Sequence, residues 1–103
     1  MKLKAKTSFK FGTQGLVVPE GFQCDVSQGE NLTYVICDFA GIKIRIPSLA
    51  AHKYFPGFIK VTPDMLERAA TSGSCQSIRG HRVEPDGVDP DGFPSILLVA
   101  GWI

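Results

Sequence analysis

The sequence predicts one α+β domain spanning residues 1–103, with a small antiparallel β-barrel over 2–54 and then one α-helix and a hydrophobic C-terminal element over 62–103. Three observations predict it. Apolar residues alternate with polar ones in short runs from Lys2 to Ile46, glycine or proline stands at each break, and a strong helix-start signal appears only once, at Thr62-Pro63-Asp64.

Lys2 to Phe11 reads as one half-buried strand, with Leu3, Ala5, Thr7, Phe9 and Phe11 on one face and Lys2, Lys4, Lys6, Ser8 and Lys10 on the other. Gly12-Thr13-Gln14-Gly15 breaks it. Leu16-Val17-Val18 restarts an extended run that Pro19-Glu20-Gly21 ends, because proline presets φ and glycine supplies a positive one. Phe22, Cys24 and Val26 alternate with Gln23 and Asp25. After a polar turn, Tyr34 and Ile36 face one way and Thr33, Val35 and Cys37 the other. Ala40-Gly41 is a hairpin turn, Ile42, Ile44 and Ile46 share a face opposite Lys43 and Arg45, and Pro47 stops the ladder for want of an N–H. Five short strands left flat would expose two edges, so curling into a barrel is expected.

Thr62 is placed as N-cap, Pro63 at the first helical position and Asp64 against the helix dipole, with the helix running to about Thr71 and stopping at Ser72-Gly73. A short strand is expected around Ile78. Pro-Asp-Gly at 85–87 and again at 90–92 marks two turns. Ile96 to Ile103 is apolar almost throughout, a pattern that periodicity cannot divide into strand or helix.

The spacing from Lys2 to about Tyr54 resembles SH3-like barrels: a long irregular loop after the first strand, the approach from Gly15 to Gly21, the Ala40-Gly41 hairpin and a helical turn at Ser48-Leu49-Ala50-Ala51-His52. The aromatic pair and acidic loop with which peptide-binding members grip proline-rich ligands are not recognisable, so that activity does not transfer. The opening Lys2-Leu3-Lys4-Ala5-Lys6-Thr7-Ser8-Phe9 and the ending, from Glu84-Pro85-Asp86-Gly87 through Asp91-Gly92-Phe93-Pro94-Ser95 to Ala100-Gly101, are similar to small accessory proteins of tailed bacteriophages and prophages. That resemblance implies a role in phage–host interaction in the cytoplasm of a bacterial host, achieved by docking on a protein.

Eleven Lys and Arg against ten Asp and Glu leave a net charge of +1, too little for a whole-protein field toward nucleic acid or anionic membrane. The odd cysteine count and the lack of an apolar leader or a run of about 18 apolar residues point to a reduced, intracellular protein with no membrane partner. No cofactor, metal site or catalytic residue is expected. Cys24, Cys37, Cys75, His52 and His81 show no zinc spacing. A nucleophilic Cys75/His81 pair is the only enzymatic arrangement they offer. Asp86, Asp89 and Asp91 lack the alternation and distal glutamate of a calcium loop.

Two surfaces remain. Phe93, Leu97, Leu98 and Trp102 form a candidate anchor for a protein partner or a second copy, tryptophan being enriched at binding hot spots. Lys2, Lys4 and Lys6, together with Arg79, His81 and Arg82, are the alternative: residues two apart on a strand lie about 6.6 Å apart, close to the phosphate spacing of an extended nucleic acid. Lysines on a terminal strand also serve to discourage edge-to-edge pairing.

Overall fold

The computed structural model describes residues 1–12 and 15–103; Thr13 and Gln14, within the predicted break, lie outside the described residues. The architecture is a small mixed α+β fold. Strands β1 (Lys2–Lys4), β4 (Gln23–Gln28), β5 (Tyr34–Phe39) and β6 (Ile42–Pro47) make an antiparallel sheet in the order β1-β4-β5-β6, and β2 (Phe9–Phe11) pairs with β3 (Leu16–Val18) as a separate ribbon. The predicted alternation holds in the sheet. Cys24, Val26, Val35, Cys37, Ile44 and Ile46 bury one face, and Asp25, Ser27, Lys43 and Arg45 lie exposed on the other.

The first predicted strand is two. Ala5 continues the ladder by donating to Phe22 O at 3.0 Å, but Lys6 N–H turns away to Tyr54 O at 2.7 Å, and the pairing of Phe9–Phe11 passes to β3. The chain thus leaves the sheet where one backbone amide finds a partner elsewhere. The four-stranded sheet ends at β1 and β6, and its hydrogen bonding describes an open sheet.

Between β5 and β6 stands a two-residue turn in which Ala40 has φ 50° and Gly41 φ 86°. Positive φ at both central residues matches the twist of the flanking strands, and Asp38 Oδ1 accepts from Gly41 N–H at 2.9 Å. A 3-10 helix, Ser48–Lys53, follows, and then α1, Pro63–Ser72. Thr62 caps α1 by accepting from Met65 N–H at 3.3 Å, and Gly73, at φ 71°, donates to Ala69 O to close it. These are the predicted start and stop.

Beyond α1, β7 (Cys75–Gln76) and β8 (Arg82–Val83) form a minimal hairpin, and a single helical turn, α2, covers Ile96–Val99. The strand expected around Ile78 falls instead at these two short pieces, because Ser77 turns the chain. Ser77 Oγ accepts from Arg79 N–H and His81 N–H at 3.2 and 3.3 Å and donates to the Asp89 carboxylate at 2.7 Å. Asp89, 3% exposed, also accepts from the N–H groups of Asp91 and Phe93 at 2.9 and 3.0 Å. Its oxygens are committed to the second predicted turn and to Ser77, which is what ties a loop so rich in carboxylates to the turn after β7.

The molecule is elongated, 43 × 24 × 21 Å, with the strands at one end and α1, β7, β8 and α2 at the other. Residues 54–59 join them. The Phe55 ring meets Phe9 edge-on at 5.9 Å, and the Phe58 ring meets Phe93 at 5.6 Å. Arg79 closes the joint: Nη1 donates to Pro56 O at 2.7 Å, and its guanidinium lies 4.8 Å from the centre of the Phe58 ring. Gly57 makes room for it, since a Cβ there would sit 2.6 Å from both terminal nitrogens, and its φ of 83° already disfavours any other residue.

Two outcomes follow. Ala40→Asn relieves a left-handed alanine and raises stability in urea by about 0.5–1 kcal/mol, whereas Ala40→Val lowers it by at least ~1 kcal/mol. Gly57→Ala costs about 2 kcal/mol or more, and measurably less in an Arg79→Ala background, because part of the penalty is the clash with that guanidinium.

Candidate protein-docking surface

The apolar face of the sheet is closed along most of its length and open at one end. Cys24, Val26, Val35 and Cys37 are at most 1% exposed, but Phe22 and Ile42, continuing the same face at the Ala40-Gly41 end, are 39% and 44% exposed. The strand period explains this: Phe22, Cys24 and Val26 are two apart on one strand, as are Val35, Cys37 and Phe39 on the next, so the face runs on to the turn whether or not anything covers it.

Aromatic rings gather there. Phe22 meets Phe39 edge-on at 4.7 Å, Phe39 meets Phe11 at 6.0 Å, and Phe9, two residues from Phe11 on the same face of β2, packs on Tyr54 at 4.5 Å. All five are half-buried or exposed. Leu16, opposite Phe11 in the β2–β3 register, adds a further exposed apolar side chain. Along this row a groove of about 230 Å³ separates Phe9–Gly12 from Ile44–Pro47, with Tyr54 in its lining. Phe9 and Phe11, which the sequence assigns to the core, pack against it and still face solvent. No periodicity signals this, since the pattern of a covered face and of an uncovered one is the same.

The predicted anchor divides. Phe93 and Leu97 are 1% and 2% exposed and belong to the core, which removes them from any docking surface; Phe93 packs on Phe58, and Leu97 lies on α2, a single turn against α1 and β7. Leu98 is half-buried. Trp102 and Ile103 are 46% and 61% exposed. Trp102 is nevertheless held, because Gly101 (φ 75°) donates to Leu98 O at 3.2 Å and Trp102 N–H to Leu97 O at 2.9 Å, the paired bonds of a Schellman cap. The ambiguous apolar block is thus one helical turn with an outward tryptophan.

Of the predicted cations, Lys2, Lys6, Arg79 and His81 have partners within the fold. Lys2 Nζ lies 3.7 Å from Asp25, Lys6 Nζ donates to His52 O at 3.0 Å, and Arg79 is the joint described above, a correction to its placement in an anion loop. His81 Nε2 stands 3.9 Å from Asp91. Lys4 and Arg82 are exposed. On the polar face one register row reads Lys2, Asp25, Asp38, Lys43 across four strands, so positive charge there is balanced within the sheet. The Met1 ammonium adds to that row by bonding Asp25 Oδ1 at 3.0 Å, which holds the Asp25 carboxyl below the usual range.

All three cysteines are buried. Cys75 Sγ donates to Gln76 O at 3.5 Å, whereas the His81 side chain is more than half exposed and turned to Asp91, so the pair is not assembled. Among the described residues, no three His, Cys, Asp or Glu side chains gather as a metal site, and no helix is long and apolar enough to cross a membrane. No protein-family model, curated protein or solved structure matches the chain.

Burial pushes the Cys37 thiol up to about 12, with the neighbouring Cys24 and Asp38 adding to the shift. The unfolded chain ionises this thiol from an ordinary value of 9.0, so its contribution to stability is intact below that pH and declines as pH climbs toward 12. Urea unfolding at a series of pH values from neutral upward is therefore expected to show stability falling more steeply in the wild type than in Cys37→Ala.

Proposed function

We propose that this chain is a non-enzymatic binding module that docks on a protein partner through the aromatic row Phe22, Phe39, Phe11, Phe9 and Tyr54. The observation that carries the reading is the open end of the apolar face, where Phe22 and Ile42 stand 39% and 44% exposed beside half-buried rings. A contiguous apolar surface of this kind marks interaction sites on small proteins, and aromatic side chains give large contact area for little lost conformational freedom. Trp102 and Ile103 form a second apolar point, which the same partner or a second copy could cover.

The resemblance of Lys2–Phe9 and Glu84–Gly101 to phage accessory proteins gives the reading its setting: a host or phage protein in the bacterial cytoplasm, occupied and thereby inhibited. The SH3-like reading belongs to the same proposal. It is supported by the β2–β3 ribbon, the tight β5–β6 hairpin, the 3-10 helix after β6 and the bond from Lys6 N–H to Tyr54 O, which brings the end of the strand region back to its beginning.

The test is quantitative capture from a bacterial lysate on immobilised wild type, Phe22→Ser, Ile42→Glu and Trp102→Ala, each checked for cooperative melting. A protein retained by the wild type and Trp102→Ala and reduced about tenfold or more by both surface variants is expected, since loss of a central hot-spot contact costs about 2 kcal/mol. Capture unaffected by Phe22→Ser and Ile42→Glu overturns the assignment.

A further inference from the structure

Resting on that reading, we infer that the segment this surface takes is an extended acidic strand of the partner, which adds to the free edge of β6 and lays alternate side chains into the groove beside Phe9 and Phe11.

Hydrogen-bond parity exposes the edge. Ser48 N–H donates to Thr33 O at 2.9 Å, and the register pairs Ile46 with Val35, Ile44 with Cys37 and Ile42 with Phe39. In an antiparallel ladder the bonded pairs recur every second residue, so Ile42, Ile44 and Ile46 point their backbone groups at β5. Lys43 and Arg45 therefore point N–H and C=O outward, whereas Pro47, at the same parity, has no N–H and serves as N-cap of the 3-10 helix. Among the described residues the outward groups of Lys43 and Arg45 have no backbone partner. Proline at that parity costs the sheet nothing, which is the position edge strands allow it.

The edge does not face bulk water along its whole length. Across the groove of about 230 Å³ lies β2, already paired to β3, and Tyr54 adds to the lining. A strand needs about 4.8 Å of lateral room beside its neighbour, and alternate side chains of an added strand would fall on the aromatic row.

Charge selects the occupant. The residues lining the groove include Lys10 and Arg45 and no acid. A second copy offering its own β6 would set Lys43 and Arg45 against the same cations, which disfavours self-pairing. An acidic strand meets the opposite: attraction at the rim and apolar contact within.

The probe is a pair of fluorescein-labelled octapeptides, one alternating valine with glutamate and the other valine with lysine, plus two versions of the glutamate peptide, N-methylated at every second amide in one frame or the other. Binding is followed by anisotropy and by the amide resonances of the ¹⁵N-labelled chain. The expected result is that the glutamate peptide shifts the Lys43 and Arg45 amides and slows their hydrogen exchange, that affinity falls several-fold between about 50 and about 300 mM salt, and that the lysine peptide does not bind. One of the two possible N-methylation frames abolishes binding, and Lys10→Glu with Arg45→Glu reverses the preference. Equal binding of both N-methylated frames, or binding that leaves Lys43 and Arg45 exchange unchanged, overturns strand addition. So does the absence of any shift at millimolar peptide. If a lysate partner sensitive to Ile42→Glu persists in that case, the docking module stands and only the strand falls; if capture is also insensitive, both fall.

Discussion

The guanidinium of Arg79 is the contact on which the two ends of the molecule depend. It reaches from the turn after β7 to the carbonyl of Pro56 and lies against the Phe58 ring, so one side chain fixes the segment between the sheet and the helical end. A planar cation suits both demands at once: it donates in its plane and stacks through its face, which an ammonium cannot do. The backbone records the same constraint. Gly57 adopts a conformation other residues avoid and leaves open the volume that the guanidinium fills. The bond from Ile59 N–H to Ile78 O runs alongside and makes the joint a two-point contact.

With the ends joined in this way, cover for the sheet is rationed by position. Ala51 and Phe55, both fully buried, seal the face near the 3-10 helix, and Ile44 and Ile46 are closed with it. Nothing comparable reaches the Ala40-Gly41 end among the described residues. Phe11 and Phe22 lean on Phe39 from two sides, and rings meeting edge to face stabilise one another while leaving their outer faces to water. The polar face shows the contrary economy: one register row sets Asp25 and Asp38 side by side between Lys2 and Lys43, so its net charge cancels, and Arg45 packs over the Tyr34 ring at 5.0 Å. A surface balanced in charge on one side and unfinished in apolar cover on the other directs association to the second.

How much of this was legible depends on the range of the interactions. Helix α1 was readable at both ends because caps are local: Thr62, Pro63 and Gly73 act within four residues of themselves. The Ala40-Gly41 hairpin and the inward residues of β4, β5 and β6 were readable for the same reason. The break after Ala5 was not, since it is caused by Lys6 bonding to Tyr54, forty-eight residues away. Arg79 looked like a free cation because its partners are likewise remote. Asp89 looks in the sequence like one acid among several, and only the structure distinguishes it as the buried carboxylate that orders its own turn directly and the 77–81 turn through Ser77.

The aromatic row shows the limit of the pattern, because the strand period places Phe9 and Phe11 in the core and gives Phe39 and Tyr54 no role. Phe9 and Phe11 sit at the inward parity of a strand, and inward parity normally means core. Parity reports direction alone. Whether a residue pointing inward is covered depends on whether another element arrives there, and that is set by the length of the 3-10 helix and by where the chain leaves for α1. The C-terminal block shows the inverse: Phe93 and Leu97 are apolar without period, yet Phe93 packs on Phe58 and a short helical turn sets Leu97 against α1 and β7, while Gly101 turns Trp102 outward. A continuous apolar run became core and a well-patterned strand became surface, so for this chain the exposed apolar area follows from the placement of covering elements.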